Sequence, residues 1–239
     1  MKIAILLPVR NGAHLIEKAL DSVVNQTFFK KGNDYIIYLV DNDSSDDLVE
    51  KIKKYKNINY IKSKHLGIGA ALNAGMFRIQ SNDDIEYIAR IDQDDEWHLN
   101  KLEVQMDFLV KNPDVDICGT QMHFTKGSED AVLAFEYSHW PTDDRTIKDF
   151  LLRGMNPLGH PSIVYKKYIF NFCGGYDDAT YKYAEDLDLW LKCLSFCKFA
   201  NINQHLVEYR YQKRDSQHLQ DRAVSLLNVR TQSLYSYMS

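Results

Sequence analysis

The sequence predicts an α/β protein: a mainly parallel, doubly wound central sheet flanked by helices, with a less regular C-terminal half. Strand-like apolar runs alternate with helix-periodic stretches as far as Asn112-Pro113 without an intervening linker, the pattern of successive βαβ units. The first run, Lys2 to Val9, is almost continuously apolar, as a strand covered on both faces must be. The runs from Tyr35 to Val40 and from Ile85 to Ile91 both stop in clustered acid, and in such sheets the crevice beyond the strand tips is where ligands bind.

Taken in order, the first strand ends at the turn Arg10-Asn11-Gly12, and Leu15, Ile16, Ala19, Leu20, Val23 and Val24 then repeat at helical spacing. The second strand runs into Asp41-Asn42-Asp43-Ser44-Ser45-Asp46. A helix from about Asp46 to Tyr55 and a short strand, Ile58 to Ile61, lead to the small-residue segment Gly67-Ile68-Gly69 through Gly75, which opens a helix to about Ile79. Its glycines do not keep the dinucleotide spacing, so close packing of a helix on the sheet stands beside backbone approach to a ligand. The central strand carries Arg90 and ends in Asp92-Gln93-Asp94-Asp95; a helix from His98 to Val110 follows, with Leu99, Leu102, Met106 and Leu109 assigned to the core.

In the second half, Val115 to Phe124 and Ala131 to Tyr137 read as strands, Asp143 to Leu152 as a helix, and Ser162 to Tyr165 as a short strand. Gly174-Gly175-Tyr176-Asp177 turns into an apolar helix with Glu185, Asp186 and Asp188 in its first turn, where carboxylates complement the helix dipole. Leu206 to Tyr211 reads as a final edge strand, and a polar helix follows from Lys213. The expected organisation is one domain over 1–239, divided into 1–112, 113–212 and a C-terminal helix at 213–239.

Composition narrows the function. The 239 residues are 45% hydrophobic and 26% charged, with a net charge of -4, so nucleic acid is not an expected partner. The apolar run at the N-terminus stops at Pro8, too soon for a secretory signal, and no run reaches the ~20 residues of a membrane-spanning helix. Cys118, Cys173, Cys193 and Cys197 follow no zinc spacing and read as small apolar residues.

The chemistry concentrates at Asp92, Asp94 and Asp95. Like charges that close repel, and a divalent cation among them relieves the repulsion; hard oxygen donors favour magnesium or manganese over zinc. Taken alone, the same Asp-x-Asp-Asp also fits a solvated acidic turn capping the next helix.

The order of the motifs is more specific than any one of them. Pro8-Val9-Arg10-Asn11, Val40-Asp41-Asn42-Asp43-Ser44, Asn73-Ala74-Gly75, Ala89-Arg90-Ile91-Asp92-Gln93-Asp94-Asp95 and Glu185-Asp186-x-Asp188-Leu189-Trp190-Leu191 together resemble glycosyltransferase family 2 over about residues 2 to 211. The resemblance implies the GT-A fold, an inverting transfer of one sugar from a nucleotide-diphosphate donor, with uridine the favoured base, and a Mn2+ or Mg2+ cofactor. It implies that Pro8, Val9 and Arg10 border the base, that Asp41 accepts from the base edge, and that Asn73, Arg90, Asp92 and Gln93 belong to the donor site. Asp94 with Asp92 would hold the cation, and Asp186 would be the general base. His160, Glu185 and Trp190 would lie toward the acceptor, a glycan or lipid-linked saccharide met in the cytoplasm or at the inner membrane face. Lys213, Arg214, Arg222 and Arg230 would supply peripheral lipid contact, unless they are a solvated helix face.

The chain departs from the family pattern in two places. Leu72 stands before Asn73 where Arg is frequent, and Asn42 stands where many relatives have a second Asp. The Gln-x-x-Arg-Trp signature of processive synthases is missing, which implies transfer of one sugar or non-processive action. Two rival readings remain: a non-catalytic nucleotide- or sugar-binding module on the same fold, and a metal-dependent nucleotidyltransferase.

Overall fold

The computed structural model describes residues 2–129, 131, 133, 135–177, 183–211, 220–221, 223–229 and 231. The chain runs through β1 (Lys2–Val9), α1 (Ile16–Val24), α2 (Thr27–Lys30), β2 (Asp34–Asp41), α3 (Leu48–Ile52), β3 (Ile58–Lys62), α4 (Ile68–Gln80) and β4 (Ile85–Arg90). It continues with β5 (Glu96–Trp97), α5 (Lys101–Lys111), β6 (Ile117–Lys126), α6 (Asp144–Leu152), a 3-10 turn at His160–Ser162, β7 (Val164–Lys166), α7 (Tyr168–Cys173), α8 (Glu185–Lys192) and β8 (Phe199–Tyr211). All the named strands join one sheet in the order β3-β2-β1-β4-β7-β6-β8-β5. β3, β2, β1 and β4 are parallel neighbours, β7 bridges β4 and β6 antiparallel to both, and β8 runs parallel to β6.

β1 shows why its sequence does not alternate. Ile3, Ile5, Leu7 and Val9 enter a core with α1, α3 and α5, whereas Ala4 and Leu6 enter a second core with α4, α7 and α8 on the opposite face. Cys193 and Cys197 are free thiols buried in that second core, as small apolar residues would be. The glycine-rich helix packs unusually close: a Cβ on Gly75 would sit 2.4 Å from Leu6 Cδ1 and 2.9 Å from Val40 Cγ2.

Four expectations are corrected. Leu99 precedes α5 and is 57% exposed; Lys101 and Gln105 take the inward face instead. The Lys101 amine donates to Gln105 Oε1 at 2.7 Å and lies 4.0 Å from the Trp97 ring centroid, and burial pushes its pKa well below the usual lysine value. Gln105 Nε2 in turn donates to the Cys118 and Ser162 carbonyls at 2.8 and 2.9 Å. The expected edge strand Leu206–Tyr211 is the latter part of the longer β8, flanked by β6 and by β5, the true edge. Among its described residues, the expected strand Ala131–Tyr137 makes only a bridge from Tyr137 to His123, flanked by bonds from Phe124 N to Glu136 O at 2.7 Å and from Ser138 N to Met122 O at 2.9 Å. Finally, the helix expected from His98 begins at Lys101, after β5 has paired with β8.

No described helix is long and apolar enough to cross a membrane. The described residues at 220–231 are helical, with Val229 buried in the second core. Lys213, Arg214, Arg222 and Arg230 lie outside the described residues.

Candidate active site

The chain builds β1, β2 and β3 outward in one direction, then returns past β1 to place β4 on its other side, so the strand order reverses at β1 and β4. A crevice opens at such a switch point. The tips of β1, β2 and β4 are tied together there by short polar bonds. Gln93 Oε1 accepts from Arg10 N at 2.8 Å and Gln93 Nε2 donates to Arg10 O at 3.3 Å. Asn11, held at a φ of 49°, donates from its backbone to Ser44 Oγ at 3.0 Å and accepts from Ser45 N at 2.9 Å. Asn42 Nδ2 donates to His65 O at 2.7 Å, and its Oδ1 accepts from Gly67 N at 2.9 Å. Gly67, at a φ of 121°, is the cap from which α4 starts.

A cavity of about 370 Å³ lies over these tips, walled by Pro8, Val9, Arg10, Asn42, Gly67, Ile68, Asp92, Gln93 and Asp94. A second cavity of about 400 Å³ shares Asp92 and Tyr209 with it. Arg90, Asn156, His160, Glu185 and Asp186 line the second cavity together with Phe124, Phe135, Trp140 and Tyr211. The two cavities meet at an acidic residue.

The three clustered carboxylates have different environments. Asp95 is 1% exposed, its Oδ1 accepts from Arg210 N at 2.9 Å, and its Oδ2 has no partner. Burial, then the charges of Asp92 and Asp94, push its pKa well above the ordinary value, and its bond to Arg210 N ties it to β8. Asp92 pairs with Arg90, which is 2% exposed; burial opposes the Arg90 charge, but Asp92 more than restores it. Asp92 and Asp94 therefore face the cavity as hard oxygen donors. A magnesium-type ion is commonly held by one or two carboxylates plus substrate phosphates, and these residues fit that role. Among the described residues no group of three or more His, Cys, Asp or Glu is arranged to hold an ion, and such a site needs none.

Asp186 stands in the first turn of α8. Its Oδ1 accepts from Leu187 N at 2.7 Å and its Oδ2 from Asn156 Nδ2 at 2.8 Å. Burial first, then the neighbouring Glu185, push its pKa above the ordinary carboxylate value. His160 Nδ1 approaches Glu185 Oε1 at 3.5 Å, and its Nε2 meets Tyr176 OH at 3.2 Å. Burial, reinforced by the Arg90 charge, pushes His160 down to about 3, so the imidazole is neutral.

Most of the expected site residues converge on the two cavities, but Asp41, Asn73 and Trp190 line neither. Asp41 turns its Oδ1 to Ser44 N at 2.8 Å and its Oδ2 to Tyr60 OH at 2.5 Å, which leaves Asn42 on the wall. Asn73 clamps Tyr176, accepting from its N at 2.9 Å and donating to its O at 2.8 Å. Trp190 is fully buried, its ring edge-on to His160 with centroids 5.9 Å apart. Asn156 and Tyr209 were not anticipated. Asn156-Pro157 just ahead of His160-Pro161 is a turn signal that could have drawn attention to the first, whereas Tyr209 carries no local signal.

The comparisons agree with this geometry. The family model described as glycosyl transferase family 2 matches residues 4–171. The Escherichia coli UDP-Gal:alpha-D-GlcNAc-diphosphoundecaprenol beta-1,3-galactosyltransferase is 29% identical over 213 residues, covering 86% of this chain and 72% of that protein. Among solved structures, S. aureus TarS 1–349 in complex with UDP-GlcNAc superposes with a TM-score of 0.67 at 18% identity, over 92% of this chain and 61% of that one. The mannosyltransferase PcManGT from Pyrobaculum calidifontis, in complex with GDP-Man and Mn2+, superposes with a TM-score of 0.69 at 15% identity, over 98% of this chain and 64% of that one. The chain thus spans less than two thirds of these solved chains. With its acidic strand tips set at the switch point of a GT-A sheet, this chain belongs to glycosyl transferase family 2 and is a glycosyltransferase.

Proposed function

We propose that the chain transfers one sugar from a UDP-sugar to a hydroxyl of a glycan or lipid-linked saccharide, with inversion, using Asp186 as general base and a Mn2+ or Mg2+ ion at Asp92 and Asp94. The observation that carries this reading is the pair of cavities meeting at Asp92, with the candidate cation ligands on one side and Asp186 on the other. The nucleotide half, 1–112, supplies most of the donor wall; 113–212 supplies most of the acceptor wall. The Escherichia coli relative is named for a UDP-Gal donor and a diphosphoundecaprenol-linked acceptor, which supports this pairing. The Mn2+ bound by the mannosyltransferase supports the cation.

In this scheme the first cavity receives the nucleotide against a wall that the bonds among Arg10, Gln93, Asn42 and Gly67 hold in shape. A divalent cation, when bound, neutralises the charge that develops on the departing diphosphate. Asp186 takes the acceptor hydroxyl proton as the new C1–O bond forms and the C1–O bond to phosphate breaks. Positioned base catalysis of this kind contributes about 10²–10⁴-fold. Attack from the face opposite the leaving group inverts C1, so no enzyme nucleophile is required.

The test combines thermal melts with UDP, GDP, dTDP or CMP, with and without Mn2+, and UDP release from UDP-Gal and UDP-GlcNAc in the presence of a GlcNAc-diphospholipid. A nucleotide at ~100 times its Kd adds about 2.7 kcal/mol. The expected result is a Mn2+-dependent UDP shift lost in Asp94→Ala, and Asp186→Asn that keeps the shift and loses transfer. No shift in the wild type, or wild-type turnover in Asp186→Asn, overturns the assignment. Binding without turnover of any donor favours a non-catalytic module.

A further inference from the structure

Asn156 stands out among the residues of the second cavity, because the surrounding fold fixes both ends of its amide. Its Oδ1 accepts from Leu158 N at 3.1 Å. That N–H can only donate, so the amide is oriented with Nδ2 outward, toward Asp186 Oδ2 at 2.8 Å.

The segment that carries Asn156 is held from behind. Pro157 restricts the residue before it to extended backbone. Asn201, buried on β8, donates its Nδ2 to Pro157 O at 3.0 Å and to Pro141 O at 2.8 Å. Trp97 Nε1 donates to Pro161 O at 2.9 Å, and Gln105 Nε2 to Ser162 O at 2.9 Å. Three buried side chains from β8, β5 and α5 thus fix residues 157–162, which are otherwise loop and a single 3-10 turn. Such expenditure of buried polar groups on a loop is hard to explain by stability alone.

We infer that Asn156 is a positioning residue for transfer: its Nδ2–H fixes the plane of the Asp186 carboxylate and directs it at the acceptor hydroxyl. This rests on Asp186 being the base. The Asp186 oxygens have complementary constraints. Leu187 N holds Oδ1 from within α8, and Asn156 holds Oδ2 from the opposite wall of the cavity. A carboxylate held at only one oxygen could swing about its Cβ–Cγ bond. The remaining groups that face Asp186 are Glu185 on α8, His160 on the 3-10 turn and Arg90 on β4. An amide donor also favours the ionised form, which opposes the desolvation that raises the Asp186 pKa.

The test uses the full chain with Asn156→Ala and Asn156→Asp. The second variant keeps an acceptor for Leu158 N, so the loop is retained even if the first fails to fold. Turnover is followed as UDP release with the donor and acceptor used above. The Asp186 carboxyl titration is followed independently by NMR of ¹³C-labelled aspartate, assigned from its loss in Asp186→Asn. Asn156→Ala should lower kcat about 10- to 100-fold with donor KM unchanged within about twofold, since misplacement of a reacting group by ~1 Å costs on the order of 10²-fold. Its Asp186 titration midpoint should move upward. Asn156→Asp, which sets a second carboxyl against the first, should move that midpoint at least as far. Adding Asn156→Ala to Asp186→Asn should have no further effect on turnover. An unmoved midpoint, or wild-type kcat in both variants, overturns the inference. If Asp186→Asn turns over normally while the midpoint still moves, the base assignment fails instead, and the two failures are told apart.

Discussion

A single peptide bond separates Asp94, on the wall of the first cavity, from Asp95, sealed behind it against Arg210. The sequence shows three carboxylates and the reason they repel; it does not show that the third turns inward, because Arg210 lies 115 residues away. The same holds for Asn42, which looks like a weakened copy of a family Asp until Gly67 and His65 are seen to set it on the cavity wall. His160 yields a prediction at this scale. Its folded pKa, about 3, lies below the usual 6.5. Between those values the unfolded chain binds a proton that the folded chain refuses, so stability is lost as pH falls through that window, by about 1.4 kcal/mol per pH unit. Urea midpoints between pH 6 and 4 should therefore fall less steeply in His160→Gln than in wild type; equal slopes would show that the imidazole is not held neutral.

At the scale of elements, β1 and β2 were legible because burial on both faces forces continuous apolar sequence, and Asp143 because it caps α6 by accepting from Thr146 N at 2.9 Å. β8 was only half legible. Its first half carries Asn201, Asn203, Gln204 and His205, and pairing with β6 rather than local pattern makes it a strand. α5 misled for the converse reason, since Lys101 and Gln105 look like solvent residues and are buried by partners distant in sequence. The glycine-rich helix allows a sharper test. Gly75→Ala would drive a methyl into Leu6 and Val40, and overpacking of this kind costs about 1–3 kcal/mol. Because each kcal/mol shifts Tm by about 2–4 °C in a chain of this size, the melt should drop by several degrees. An unchanged Tm would mean that α4 moves away from the sheet at little cost.

The whole molecule is organised by its one sheet. Trp97 belongs to the core on one face and Trp190 to the core on the other, while β7 stitches the N-terminal strands to the C-terminal ones. Unfolding should therefore be a single transition. In Trp97→Phe and in Trp190→Phe, tryptophan fluorescence and far-UV circular dichroism should give coincident urea midpoints; separated midpoints would reveal two halves that melt independently. The family was legible from the order of motifs, because that order is linear. The side chains that aim those motifs come from strands and loops that meet them only in three dimensions.

The bond from Arg210 N to Asp95 has a consequence for how the chain is made. Synthesis delivers Asp92, Asp94 and Asp95 early and the strand that braces Asp95 late. A growing polypeptide that has reached Pro113 carries the acidic tip without its rear support. Until β8 emerges, Asp95 lacks the N–H that holds it, and a gene fragment ending at Pro113 would carry the tip without that bond.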